Sequence, residues 1–215
     1  MHRAFLLCAM LGILLSGAEA GAARRAASSQ STESASGTLA RRAVVRASLW
    51  VGLPSLTRVS RSVNDDCSGL ANLAYRKRGL NLLPERTNPG EGGVAAIYRK
   101  ARSLDALHDE PRPGDLVFFR ETYDRNGDGR RNDGLTHIGV VERVEPDGTV
   151  TFVHRAGGGV KRSKLNLSQP GVRRDAQGRV LNDYLRRPEK RVRPRLAGEL
   201  LAGFATVDQR WFTTP

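Results

Sequence analysis

Cysteine is scarce in this chain: of 215 residues only Cys8 and Cys67 are cysteines. Cys8 sits in an apolar run near the start, behind bulky Leu6-Leu7. A lipoprotein signal needs small residues there and a longer lead-in, so Cys8 reads as signal filler. Cys67 is then alone, which excludes a disulfide framework and raises a reactive or intermolecular thiol instead. Long apolar runs are missing as well. Ala4 to Leu15 is shorter than the roughly 20 residues of a bilayer span, and no later stretch reaches that length, so a soluble mature protein is expected. Internal repeats are absent too.

What is present begins with an export pattern: Met1-His2-Arg3, the apolar run, then the small-x-small site Ala18-Glu19-Ala20. Residues 1–20 are expected to be a signal peptide and the protein periplasmic or secreted. Residues 21–37, rich in Ala and Ser and without bulky apolar side chains, read as a flexible leader. Residues 38–215 suffice for one domain with a single core. Net charge is +13, unchanged by losing one Arg and one Glu with the signal. So basic a surface favours an anionic polymer, which outside the cytoplasm means cell wall, envelope lipid or extracellular nucleic acid.

Apolar residues at three- and four-residue spacing predict a helix from Leu39 to Leu49, ended by Gly52 and Pro54. A second helix is expected after Asn64-Asp65-Asp66, where a carboxylate can cap free amides, running through Cys67, Leu70, Ala71, Ala74 and Tyr75 until Gly79. A third spans Val94 to Leu107. Strands follow at Asp115 to Phe119, His137 to Val144 and Thr149 to His154, the last two joined through Pro146-Asp147-Gly148 as a hairpin. Leu181 to Leu185 and Leu196 to Phe204 are expected to cover the sheet. Helices first and antiparallel strands later make the fold class α+β.

A thiolate nucleophile needs its pKa lowered, which a helix N-terminus together with an imidazolium can do. Cys67 is expected in the first turn of its helix. Of four histidines, His2 leaves with the signal and His108 precedes a Pro-rich break, leaving His137 and His154 on one hairpin. Parity relates them. A four-residue loop pairing 143 with 148 sets 137 opposite 154 and lets the imidazoles touch. A two-residue loop sets them roughly 13 Å apart on the same face. The chemistry favours the longer loop, with His137 accepting the Cys67 proton, His154 orienting His137, and the Cys67 amide serving an oxyanion.

Asp66-Cys67-Ser68-Gly69-Leu70, Pro113-Gly114-Asp115-Leu116-Val117-Phe118-Phe119, His137-Ile138-Gly139-Val140-Val141 and Phe152-Val153-His154-Arg155-Ala156 resemble, in order, the motifs of the NlpC-type cell-wall cysteine peptidases. The resemblance runs from about Leu39 to Leu167. It implies a papain-like fold with the cysteine helix packed on an antiparallel sheet, and hydrolysis of peptidoglycan stem peptides, commonly at the D-glutamyl to diamino-acid bond. It also implies Cys67 as nucleophile, His137 as base and His154 as the third polar residue, with Asp66 and Ser68 on the substrate side. No cofactor is required, and a monomer is expected. The family usually carries Tyr-x-Trp-Gly-Gly upstream of the cysteine. This chain has Trp50-Val51-Gly52-Leu53-Pro54 and then Ser60-Arg61-Ser62, which leaves the bond cleaved open.

A second departure precedes His137. Asp124, Asn126 and Asp128, with Gly129, resemble the first half of a calcium loop, but Leu135 stands where its bidentate Glu belongs, leaving Asn132 or Asp133 to substitute. The competing reading is a solvated acidic insertion among arginines. Cys67 alone would read as a small core hydrophobe, and His137 and His154 as satisfied strand histidines. Two other functions remain alongside a peptidoglycan hydrolase: a basic, catalytically idle wall-binding module, and a CHAP-type amidase or acyltransferase using the same cysteine. No specific nucleic-acid motif is present.

Overall fold

The computed structural model describes residues 35–77, 81–186 and 193–213. The expected signal and residues 21–34 of the expected leader lie outside them. Residues 35–37, assigned above to the leader, are already helical: α1 covers 35–49 and turns Leu39, Ala43 and Ala47 inward. The second helix, α2 (Cys67–Tyr75), starts at the expected residue. Residues 68–75 are all buried, so α2 is a central helix enclosed on every side.

The next helix, α3 (Gly93–Ser103), stops four residues before the expected end. Asp105 adopts a positive φ of 50°, which breaks the helix, and the chain continues as β1 (Leu107–His108). Five strands follow: β2 (Leu116–Arg120), β3 (Leu135–Val144), β4 (Thr149–Ala156), β5 (Gly159–Asn166) and β6 (Tyr184–Arg186). A short β7 (Arg195–Leu196), one helical turn α4 (Ala197–Leu200) and β8 (Leu201–Ala205) complete the domain. Antiparallel pairing gives one six-stranded sheet in the order β1-β8-β2-β3-β4-β5, with β6 and β7 as a separate ribbon. The fold class is α+β, as expected.

One expectation is corrected, and one strand was not expected. Leu201 to Phe204 does not cover the sheet but enters it as β8, between β1 and β2. The arginine- and lysine-rich segment after Gly159 is a full edge strand, with Val160, Ser163 and Leu165 buried. Its alternation escapes a hydrophobicity reading because one inward position is serine.

The sheet carries a core on each face. Leu116, Phe118, Ile138, Val140 and Val153 pack with Leu70, Ala71 and Ala74 of α2 and Ile97 of α3. Val117, Phe119, Val141, Val150, Phe152 and Leu165 pack on the other side with Leu200 and Phe204. Trp211 joins the first core and donates from Nε1 to the Thr206 carbonyl at 3.0 Å, so it latches the end of the chain onto the domain.

The β3–β4 hairpin has neither expected loop. Gly148, at φ 79°, takes the left-handed position that closes a three-residue turn of Pro146-Asp147-Gly148, with Glu145 N donating to Thr149 O at 2.8 Å. An odd turn changes the parity of everything beyond it. Near the turn Val144 pairs with Val150 and Arg143 with Thr151; past Glu142 the pairs are Val141 with Phe152 and Val140 with Val153. Glu142 is thus the extra residue of a β-bulge. Continued from the turn without the bulge, the register would put His137 and His154 on opposite faces. With it, His154 falls opposite Gly139 and shares a face with His137, diagonally rather than directly paired.

Candidate active site

Asp66 ends an extended segment and caps α2, its Oδ1 accepting from Gly69 N at 2.7 Å. Gly69 has a steric reason to be glycine: a Cβ there would lie 1.8 Å from the Asn64 carbonyl oxygen. The loop ahead of the helix therefore folds tightly over the first turn and presents Cys67 at its tip. The amides of Cys67 and Ser68 have no carbonyl to bond within the helix and remain as donors beside the sulfur.

The thiol is half-buried and directed at the Thr136 carbonyl, Sγ to O 4.0 Å, one residue before His137. His137 Nε2 lies 2.7 Å from His154 Nδ1, the rings edge-on at 89° with centroids 4.9 Å apart. His154 Nε2 lies 3.0 Å from Ser163 Oγ. Phe119 and Phe152 flank the imidazole pair, which is buried. Cys67, His137 and His154 line one cavity of about 460 Å³. The structure thus brings together the three residues singled out as catalytic.

Burial dominates their protonation. It pushes the Cys67 thiol up to about 12, helped by the Asp66 carboxylate and opposed by the amides of Ile138 and Ser68. Burial lowers His137 to about 4, with Lys161 adding to the effect and Asp66 opposing it. His154 is lowered by burial, by His137 and by Lys161. The resting site is therefore a neutral thiol beside two neutral imidazoles. This departs from the expected lowered thiol: the helix amides act in the expected direction, but they are outweighed by desolvation and by the cap's own negative charge.

Asp66 lines the cavity, but Ser68 does not: its hydroxyl donates to Asp66 Oδ1 at 2.7 Å, and it is buried against Gly93 of α3. Its visible work is to hold the cap. Asp124, Asn126, Asp128 and Asp133 spend their side chains within their own loop. Asp124 accepts from Gly127 N and Gly129 N at 2.8 Å each, Asn126 from Asp128 N, Asp128 from Arg130 N, and Asp133 from Arg125 N and Asn126 N. Among the described residues no group of three or more His, Cys, Asp or Glu is arranged to hold a metal ion.

Several contributors were not anticipated. Arg155, next to His154, forms a two-pronged pair with Asp65, next to Asp66, at 2.9 Å for each contact. Opposite charges at Asp65, one position before the first motif, and at Arg155, within the fourth, were the available signal. The pair ties the end of β4 to the loop ahead of α2, and Arg155 holds the Asp65 carboxyl well below its usual range. Thr122 and Thr136 join by hydroxyls at 2.9 Å and seat the acidic loop on β3. That loop supplies Tyr123 and Arg131 to the cavity wall, and β6 supplies Tyr184 and Leu185. Arg186 bonds the Glu121 carbonyl, linking these two parts of the wall.

Comparison with known proteins gives one positive finding: the profile of the NlpC/P60 family matches residues 55–174, more than half of the chain, and spans Cys67, His137 and His154. No curated protein and no solved structure gives a significant match.

Proposed function

The chain belongs to the NlpC/P60 family, a family of cell-wall cysteine peptidases, and from that premise we propose that it is an exported hydrolase cutting amide bonds in peptidoglycan stem peptides, with Cys67 as nucleophile. The observation that carries the proposal is the buried contact of His137 Nε2 with His154 Nδ1 at 2.7 Å, in the cavity that also holds the thiol. It leaves Nδ1 of His137 as the ring nitrogen available to Cys67. In this reading His137 takes the thiol proton as sulfur attacks the scissile carbonyl carbon, and His154 keeps the ring in position. The oxyanion gathers the Cys67 and Ser68 amides. Because thiol and imidazole rest neutral, the proton moves during attack rather than before it. The amine leaves with that proton, water deprotonated by His137 then attacks the thioester, and a carboxylate and the free thiol are regenerated.

Export follows from reading residues 1–20 as a signal, and it brings the protein to its polymer in the periplasm or outside the cell. The net charge of +13 favours an anionic wall. Mature protein incubated with sacculi should release new amino groups, and Cys67→Ala or His137→Ala should abolish release. Undiminished release by Cys67→Ala would sink the proposal. The basic surface also supports a second reading, a wall-binding module without turnover. Salt-sensitive retention on sacculi with no product would favour that module.

A further inference from the structure

His154 is buried, and both its ring nitrogens have assigned partners, His137 Nε2 at 2.7 Å and Ser163 Oγ at 3.0 Å. Proton positions along this chain are not independent. For His137 to accept the thiol proton at Nδ1 it must carry its hydrogen on Nε2. That hydrogen points at His154 Nδ1, which must then be bare. A neutral imidazole has one hydrogen, so His154 carries it on Nε2, aimed at Ser163. A hydroxyl is the suitable group there because it accepts from the ring and can rotate its own hydrogen away.

We propose that Ser163 is a positioning residue of the reaction: its hydroxyl accepts the hydrogen of His154 Nε2 and so fixes, through His154, the tautomer in which His137 can act as base. The inference rests on the cysteine-hydrolase reading but extends it by one residue and one strand. Ser163 lies on β5, the edge strand, directly opposite Phe152 and diagonal to His154, on the face that carries both histidines. It belongs to none of the four motifs, and its hydroxyl does not line the cavity. The charged groups facing the imidazole pair are Lys161 from the same strand and Asp66 from the α2 cap. Neither can replace Ser163 as acceptor, since Lys161 only donates and Asp66 acts on His137 and not on His154.

With Ala at 163, the Nε2 hydrogen of His154 faces a buried site without an acceptor. The imidazole gains by moving its hydrogen to Nδ1, where it meets the hydrogen on His137 Nε2. His137 must then shift its own hydrogen to Nδ1 and present a donor, not an acceptor, to the sulfur. The reaction slows without any loss of substrate contact.

The test pairs kinetics with nitrogen-15 spectra of the histidines. Wild-type protein at pH 7 should have His154 protonated at Nε2, a measurement that needs neither substrate nor a variant. Ser163→Ala should lower kcat about tenfold or more, with KM within about twofold, and shift His154 toward the Nδ1 form. Ser163→Thr, which keeps the hydroxyl, should recover most of the rate. A wild-type His154 protonated at Nδ1 would overturn the proposal, as would an unchanged kcat in a folded Ser163→Ala protein. A Cys67→Ala protein that still cuts sacculi would overturn the hydrolase reading instead, and the spectra distinguish that failure from this one.

Discussion

Acidification should leave the site active well below the pH at which an ordinary histidine base fails, while the fold weakens. His137 sits near 4 because burial disfavours its charged form and Lys161 repels it, whereas an exposed histidine titrates at 6.5. At pH 5 a base with a pKa of about 4 remains about nine-tenths neutral; one at 6.5 would be about 3% neutral. The acid limb of kcat/KM should therefore lie near pH 4. Stability moves the other way. Between the folded and unfolded values the unfolded chain binds the extra proton, so the contribution is whole above 6.5 and is lost as pH falls toward 4. At about 1.36 kcal/mol per pH unit the interval corresponds to roughly 3 kcal/mol, of which roughly 2 is gone by pH 5, and His154 adds in the same direction. Muropeptide release from pH 3.5 to 8, run beside urea melts at pH 7 and pH 5, reads both effects. An acid limb near 6.5, or equal stability at pH 7 and pH 5, would refute the buried neutral pair.

Four further outcomes follow from the same site and the elements around it. Cys67, raised to about 12, should alkylate with iodoacetamide at pH 8 at least about tenfold slower than a small free thiol; equal rates would mean the resting thiol is already ionised. Asp66→Ala removes the acceptor of Gly69 N and of the Ser68 hydroxyl and should cost about 0.5–2 kcal/mol in a urea melt, the usual loss for a cap. Gly139→Ala puts a Cβ 2.9 Å from Phe152 and 3.0 Å from the Val153 carbonyl, so thermal unfolding should report about 1–3 kcal/mol of overpacking, together with slowed turnover as Phe152 presses on His154. Calcium at 1 mM should leave Tm unchanged, since among the described residues no three His, Cys, Asp or Glu side chains are grouped to hold an ion; a rise of several degrees would mean that the loop binds it.

The nucleophile end of the site was legible because its determinants are local. A capping carboxylate, a cysteine in the first turn and a glycine two residues on lie within four positions, and helix geometry converts them into a presented thiol. The histidine end was legible only in part. Contact between His137 and His154 was anticipated, but by a direct pairing through a four-residue loop, whereas the protein uses a three-residue turn and a bulge. Two parity changes cancel, and nothing in the alternation of β3 marks Glu142 as the extra residue. Ser163 and β5 were missed because Lys161, Arg162 and Lys164 mask the inward positions, and a serine there has no hydrophobic signature. The Tyr184 and Leu185 wall depends on how a ribbon late in the chain meets the 121–134 loop, a long-range event without a local pattern.

The Glu142 bulge works as a frame setting for the sheet. Strand alternation is a two-letter reading frame, and an odd turn shifts it by one; the bulge shifts it back before the histidines are reached. Changes on the turn side of Glu142 are thereby insulated from the chemistry only when they come in twos. A one-residue insertion or deletion in the Pro146–Gly148 turn, remote from the cavity, would turn His137 and His154 to opposite faces as surely as a mutation in either. Glu142 is pinned at that position by Arg162 from β5, at 2.6 and 2.7 Å, and by Ser48 from α1. The frame of the hairpin is therefore held by its neighbours on both sides, which makes the bulge a poor place to graft loops and a sensitive place to look for silent loss of activity.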